Sequence, residues 1–404
     1  MKKNRILIIA FLFGAIIPSL ACKLARETIP TPPGAQNTTP SPLSTASPAP
    51  TFPSSTPLPT PTATPLPTSL PSASPLAPTR TSTPLLPTDL VIISPQNVSK
   101  LKPLAVLSEQ GTSVVTYSSD SRRVAAGLFA TNNINIWDLA SGKELFTLSG
   151  HVNPRIISCL AFSPDGSQLA SGAQGWDAPN DSLILWDAAT GRELQRFSGV
   201  LGAISPDWRL IALTQREQDQ GGTLVLSDLA SSQKIHAMKA QGDIYGVSFS
   251  PRGQQVAAKM YNVFQDLFSF WSLDSGQLDR TLYDWVGFSY SPDGRFIAAL
   301  LDTGAGSDKG ALNIFDAATF KWIKTLAKDA DSLWYTYPAF SPDGQILAAS
   351  IGDKVFLWET QDWKKLASLP ASRPCGLAFS PDGRILTTYP QSGTVQLWGV
   401  VEGQ

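Results

Sequence analysis

Phe162-Ser163-Pro164-Asp165-Gly166, with Leu185-Trp186-Asp187 behind it, is the stretch on which the fold turns. The first five residues have the chemistry of a tight turn. Pro presets φ at about −65° at the first corner, Asp tolerates the second, and Gly accepts a positive φ. Apolar residues on both sides make the turn a hairpin. It returns as Ile204-Ser205-Pro206-Asp207-Trp208, Phe249-Ser250-Pro251-Arg252-Gly253, Tyr290-Ser291-Pro292-Asp293-Gly294, Phe340 to Gly344 and Phe379 to Gly383, with a degenerate first copy at Tyr117-Ser118-Ser119-Asp120-Ser121. A second mark follows each turn, as Ile136-Trp137-Asp138, Leu185-Trp186-Asp187, Leu226-Ser227-Asp228, Phe270-Trp271-Ser272, Ile314-Phe315-Asp316, Leu357-Trp358-Glu359 and Leu397-Trp398-Gly399. Successive spacings of 49, 41, 44, 44, 43 and 40 residues keep seven units in register.

That period and the Trp-Asp mark resemble WD40 repeats, over roughly residues 100 to 400. The resemblance implies an all-β, seven-bladed WD40-type β-propeller of four-stranded blades. A third mark, basic-x-Leu, predicts outer strands at Lys143-Glu144-Leu145, Arg192-Glu193-Leu194 and Lys364-Lys365-Leu366. The last unit has none, but Lys102-Pro103-Leu104-Ala105-Val106-Leu107, ahead of the first unit, matches Lys364 to Leu369 in pattern. This N-terminal strand is expected to complete blade seven and close the ring, covering groups that an open array would expose. Pro103 suits an outermost strand, where a missing donor points to solvent.

Many WD40 repeats carry a buried Asp–His–Ser/Thr–Trp network, and the resemblance implies it for one unit at most. Gly150-His151 is the only Gly-His pair, with Ser171, Asp181 and Trp186 as partners, although Asp181 lies one residue closer to the Trp than in the family pattern. Trp137, Trp186, Trp271, Trp358 and Trp398 occupy the structural Trp position, and the remaining blades must rely on apolar packing.

Ahead of the repeats the composition changes. Lys2, Lys3 and Arg5 precede an apolar run from Ile6 to Ile17, too short to span a bilayer, and this reads as an export signal. Ser19-Leu20-Ala21-Cys22 resembles the lipobox of bacterial lipoproteins, which implies cleavage before Cys22 and a diacylglycerol on its thiol; Ser19 departs from the usual aliphatic residue. The alternative is an ordinary secretory signal with Ala21 in an A-x-A-like cleavage site. Pro30 to Pro87 holds 18 of the 33 prolines and one charged residue, Arg80, and cannot bury a core. The expected organisation is therefore a signal peptide over 1–21, a lipidated Cys22 and disordered Pro/Ser/Thr-rich linker over 22–87, and the propeller over 88–404. It places the body outside the cytoplasm, at the cell membrane or envelope, tethered through its N-terminal lipid.

Net charge of −1 over 404 residues argues against nucleic acid as a partner. Two histidines, His151 and the outer-strand His236, expected to be exposed, are too far apart for a metal motif, and no phosphate-loop or nucleophile-elbow pattern occurs. No cofactor, metal or catalytic residue is assigned. Cys159 and Cys375 are expected on innermost strands of different blades, too far apart for a disulfide. Three long segments, Gly172 to Ser182, Arg216 to Gly222 and Asp302 to Gly310, join second to third strands and so emerge on one face. That face, with Trp176, Trp334, Tyr335, Asp302 and Asp308, is the candidate partner-binding surface. The expected function is a monomeric, non-catalytic protein-interaction scaffold; the alternative is an enzyme or small-ligand binder, for carbohydrate for example, working at one mouth of the ring.

Overall fold

A computed structural model describes residues 84–403, except 152–155, 175–182, 200–201, 218–220, 262–265, 303–308, 332–336, 371–375 and 391–392. The described residues form seven antiparallel sheets, six of them four-strand meanders running from the innermost strand outward and the seventh a five-stranded sheet that takes strands from both ends of the body. The first six blades span 112–148, 156–197, 202–239, 243–283, 285–331 and 339–370. The fold is an all-β, seven-bladed propeller.

The hairpin turns carry more chemistry than φ preference. In blade two Gly166, at φ 70°, donates its N–H to the Ser163 carbonyl at 2.8 Å. The Ser163 side chain, 6% exposed, accepts from Gln168 N–H at 2.9 Å and donates to Asp165 Oδ1 at 2.6 Å. Ser118, Ser205, Ser291, Ser341 and Ser380 donate to the Asp two residues on in the same way. In blade four, Arg252 replaces the Asp, and Ser250 Oγ still accepts from Gln255 N–H at 2.9 Å. The backbone demand for positive φ persists where Gly is absent: Ser121 and Trp208 sit at 56° and 57°.

The ring closes through the N-terminal side. Blade seven is built from Gly376–Phe379, Ile385–Tyr389 and Val395–Val401, and its outer strand is Lys102–Ser108, which pairs Lys102 with Gly399 and Ser108 with Val395. A two-residue strand, Leu90–Val91, adds a further pairing to Val401 and Val400. Residues just before it are also folded. Leu85 donates its N–H to Ala140 O at 3.0 Å, and Leu85 and Leu86 pack on the core between blades seven and one. Ile93 and Val98, both 1% exposed, enter the core between blades six and seven. The division after residue 87 is thus corrected: apolar Leu85 and Leu86 find a surface that a linker reading does not supply, and the packed body begins by residue 85.

The hydrophobic core is divided among the interfaces between neighbouring blades. Side chains alternate along each strand between the two faces of its sheet, so consecutive residues pack on different neighbours. Ile297 belongs to the blade four–five cluster, whereas Ala298 belongs to the five–six cluster. Trp137, Trp186, Trp271, Trp358 and Trp398 are all buried, between 2% and 7% exposed.

Candidate interaction face

Antiparallel meanders send their connections to two opposite faces of the ring. The Ser-Pro turns and the turns after the Trp-Asp marks form a hairpin face. The links from second to third strands, and from one blade to the next, form a loop face. Of the residues expected on the loop face, Trp176, Asp308, Trp334 and Tyr335 lie outside the described residues. Two expected long loops are shorter than supposed. Arg216 pairs with Gly222, and Asp302 pairs with Gly310, so strand pairing runs on into both segments. Asp302 is accordingly the last residue of a strand, not a loop residue, because the ladder continues as far as the backbone can reach.

The loop face nonetheless presents aromatic side chains. Phe129, in the link between the second and third strands of blade one, is 41% exposed. Tyr283 ends the outer strand of blade four at 47%, and Tyr337 leads into blade six at 46%. Sequence reading passed over all three. Phe129 ends an apolar run and Tyr283 a mixed strand, so neither is marked as exposed by its pattern; only the ends of the strands show that they overhang.

Behind this face lies a buried polar network. Trp186 Nε1–H donates to Ser171 Oγ at 2.8 Å, and His151 Nε2 stands 2.7 Å from the same oxygen. Asp181 lies outside the described residues. Register explains where such networks occur. Ser171 pairs with Ile184, two residues before its Trp, and Thr388 pairs with Gln396, two before Trp398. Trp398 Nε1–H donates to Thr388 Oγ1 at 3.1 Å, a counterpart the sequence reading missed because the connecting loop is shorter. Ala126, Ala258 and Ala349 take that register position in blades one, four and six and offer the Trp no acceptor, and Ala299 takes it in blade five, where Phe315 stands in place of the Trp.

The described titratable groups with clearly shifted proton affinity all move away from neutrality. Burial pushes the Cys159 thiol up to about 11, and it is a free cysteine on an innermost strand. Burial likewise raises Tyr290, and raises Tyr117 despite its hydrogen bond with Thr387. Asp120, Asp165 and Asp207 are held below the usual carboxylate range by the Ser hydroxyls of their turns. Lys259 donates to Val286 O at 2.6 Å and lies 3.8 Å from Asp266, tying blade four to blade five. His236, expected to be exposed, is half-buried: its ring packs on Gly276, and Nε2 lies 3.1 Å from Asp274 O, because each outer strand leans on the next blade's turn. Among the described residues no three His, Cys, Asp or Glu side chains converge as a metal site.

Residues 142–187, which hold His151, Ser171 and the Trp186-Asp187 mark, match the family model described as WD domain, G-beta repeat. The propeller is of the WD40 type. Similar sequences include the cell division cycle 20.1 protein, cofactor of APC complex, of Arabidopsis thaliana, 23% identical over 67% of this chain and 60% of that protein. Periodic tryptophan protein 2 of the same plant is 23% identical over 64% of this chain and 30% of its own length. Guanine nucleotide-binding protein subunit beta-5b of Danio rerio is 37% identical over 19% of this chain and 17% of that protein. This chain thus spans less than two thirds of these relatives. Among solved structures, hydrazine synthase of Kuenenia stuttgartiensis superposes with a TM-score of 0.57 at 17% identity, covering 73% of this chain and 97% of the other, a likeness of fold.

Proposed function

We propose that this WD40 propeller is a non-catalytic protein-interaction scaffold, tethered outside the cytoplasm through a lipidated Cys22 and the Pro-rich segment, and that it docks partners on its loop face. The observation that carries the docking is the set of half-exposed rings at Phe129, Tyr283 and Tyr337 on one face, since aromatic anchors dominate protein–protein contacts. The relatives' names point the same way: a cofactor of a complex and a subunit. The lipobox-like Ser19-Leu20-Ala21-Cys22 supports the tether.

Photocrosslinking residues placed at Phe129 and Tyr337 in the membrane-bound protein should yield discrete partner adducts, while one at Ser232 on the hairpin face should not. Adducts with equal yield on both faces refute loop-face docking. Metabolic labelling with a fatty acid, lost in Cys22→Ser, tests the tether separately.

A further inference from the structure

The outer strand of blade five, Trp322–Asp331, opens with Lys321-Trp322-Ile323-Lys324 and continues to Lys328 without an acidic residue. The outer strand of blade six, Lys365–Pro370, adds Lys364 and Lys365, again with no acidic residue as far as Pro370. All five lysines are exposed. Neither strand is a basic run in sequence; the ring sets them side by side, as Lys324 Nζ shows by donating to Asp362 O at 2.8 Å. Asp329 follows Lys328 directly and Asp331 ends the strand, Asp316 precedes Lys321, and Glu359 and Asp362 precede Lys364, so the acid-free stretches are 317–328 and 363–370. The outer strands of blades one, two and four interleave their charges, as in Lys143-Glu144, Arg192-Glu193 and Asp279-Arg280, whereas Lys234–Lys239 of blade three and Lys102–Ser108 of blade seven carry lysine without acid but no exposed Trp.

Within this basic sector Trp322 is 61% exposed and Ile323 39%. Lysines on a free sheet edge keep it from pairing with a second copy, but they do not explain an exposed indole. Its orientation is informative. Trp322 Nε1–H donates to Thr325 Oγ1 at 3.2 Å, and Thr325 in turn donates to Asn313 Oδ1 at 2.6 Å. The polar edge of the ring is thus satisfied by the protein, so the exposed remainder is apolar. An apolar wedge ringed by lysines, which act as point charges without the directional fork of Arg, has the chemistry of interfacial membrane binding. Trp322 also comes just after the turn at 316–320, on the hairpin face.

We propose that this rim of blades five and six is a peripheral binding surface for an anionic phospholipid bilayer. The surface acts independently of lipidation at Cys22, so the two readings fail separately in a test that omits the cysteine. Residues 23–404 contain all seven blades and the closing strand, and this protein would be sedimented with vesicles of phosphatidylcholine alone or with about a third phosphatidylglycerol. Binding is expected only to the anionic vesicles, with loss in high salt. Replacing Lys321, Lys328 and Lys364 by Gln should weaken it about five-fold each. Trp322→Ala should abolish insertion, read as loss of the vesicle-induced blue shift in tryptophan emission, with unchanged melting because the ring is mostly exposed. Absence of binding, equal binding to neutral vesicles, no effect of Trp322→Ala, or tighter binding to double-stranded DNA than to the vesicles would each overturn the proposal.

Discussion

Ser171→Ala removes the one oxygen that Trp186 and His151 share. The Ser is fully buried and Trp186 is 3% exposed, so water cannot take its place. The indole N–H, which donates at 2.8 Å, is left without an acceptor. Leaving one buried donor unsatisfied costs about 1–3 kcal/mol, and Ala leaves almost no cavity to add to it. A loss of about 2 kcal/mol is expected, or roughly 4–6 °C in melting temperature for a body of this size. Trp186→Phe costs stability too, through lost packing, but it removes the donor itself. In the double variant no indole N–H is orphaned, so its loss should fall short of the sum of the single losses by about 1 kcal/mol or more. Guanidinium unfolding and calorimetry of the four proteins measure the coupling. Additivity within about 0.5 kcal/mol would refute the claim that the indole depends on Ser171.

Deleting residues 102–108 uncovers the third strand of blade seven along its ladder. The melting temperature should fall by more than about 10 °C, and unchanged melting would refute closure by this strand. Ser232 sits at φ 58° in an exposed turn where neighbouring blades use Gly. Ser232→Gly should therefore stabilise by about 0.5–1 kcal/mol, and a lower denaturant midpoint would count against the turn assignment. For pH, the Asp165 carboxyl is held at about 2, chiefly by the Ser163 hydroxyl, against about 3.9 in an unfolded chain. A depressed folded pKa means that this contribution is complete above about pH 4 and is lost as pH falls toward 2. Melting temperature should drop across that window, with a shallower drop in Ser163→Ala; an equally steep drop would show that the acid sensitivity lies elsewhere.

Repetition made most of the architecture readable. The turn recurs seven times and the mark behind it keeps its Trp in five, and the turns depend on local chemistry: in most copies a Pro that sets φ, a Gly that permits the left-handed conformation, and an Asp or Ser that holds the corner. The same reasoning placed Lys102 to Leu107 beside the last strand, because its pattern matched an outer strand that the end of the chain lacked. Local pattern could not reach Leu85 and Leu86, which look like linker until an inter-blade groove is there to receive them. Nor could it mark Phe129 and Tyr283 as exposed, since the pattern of a strand does not say whether its end overhangs.

The amino-acid order by itself determined the number of blades, the turn at each corner and the segment that closes the ring, because these rest on φ preferences and spacings within a few residues of one another. Tertiary structure decided which Trp finds a hydroxyl, which lysines stand together and which aromatic rings meet solvent. Those outcomes depend on register and on neighbouring blades far away in the chain, where Ser171 and Ala258 hold equivalent places with opposite consequences.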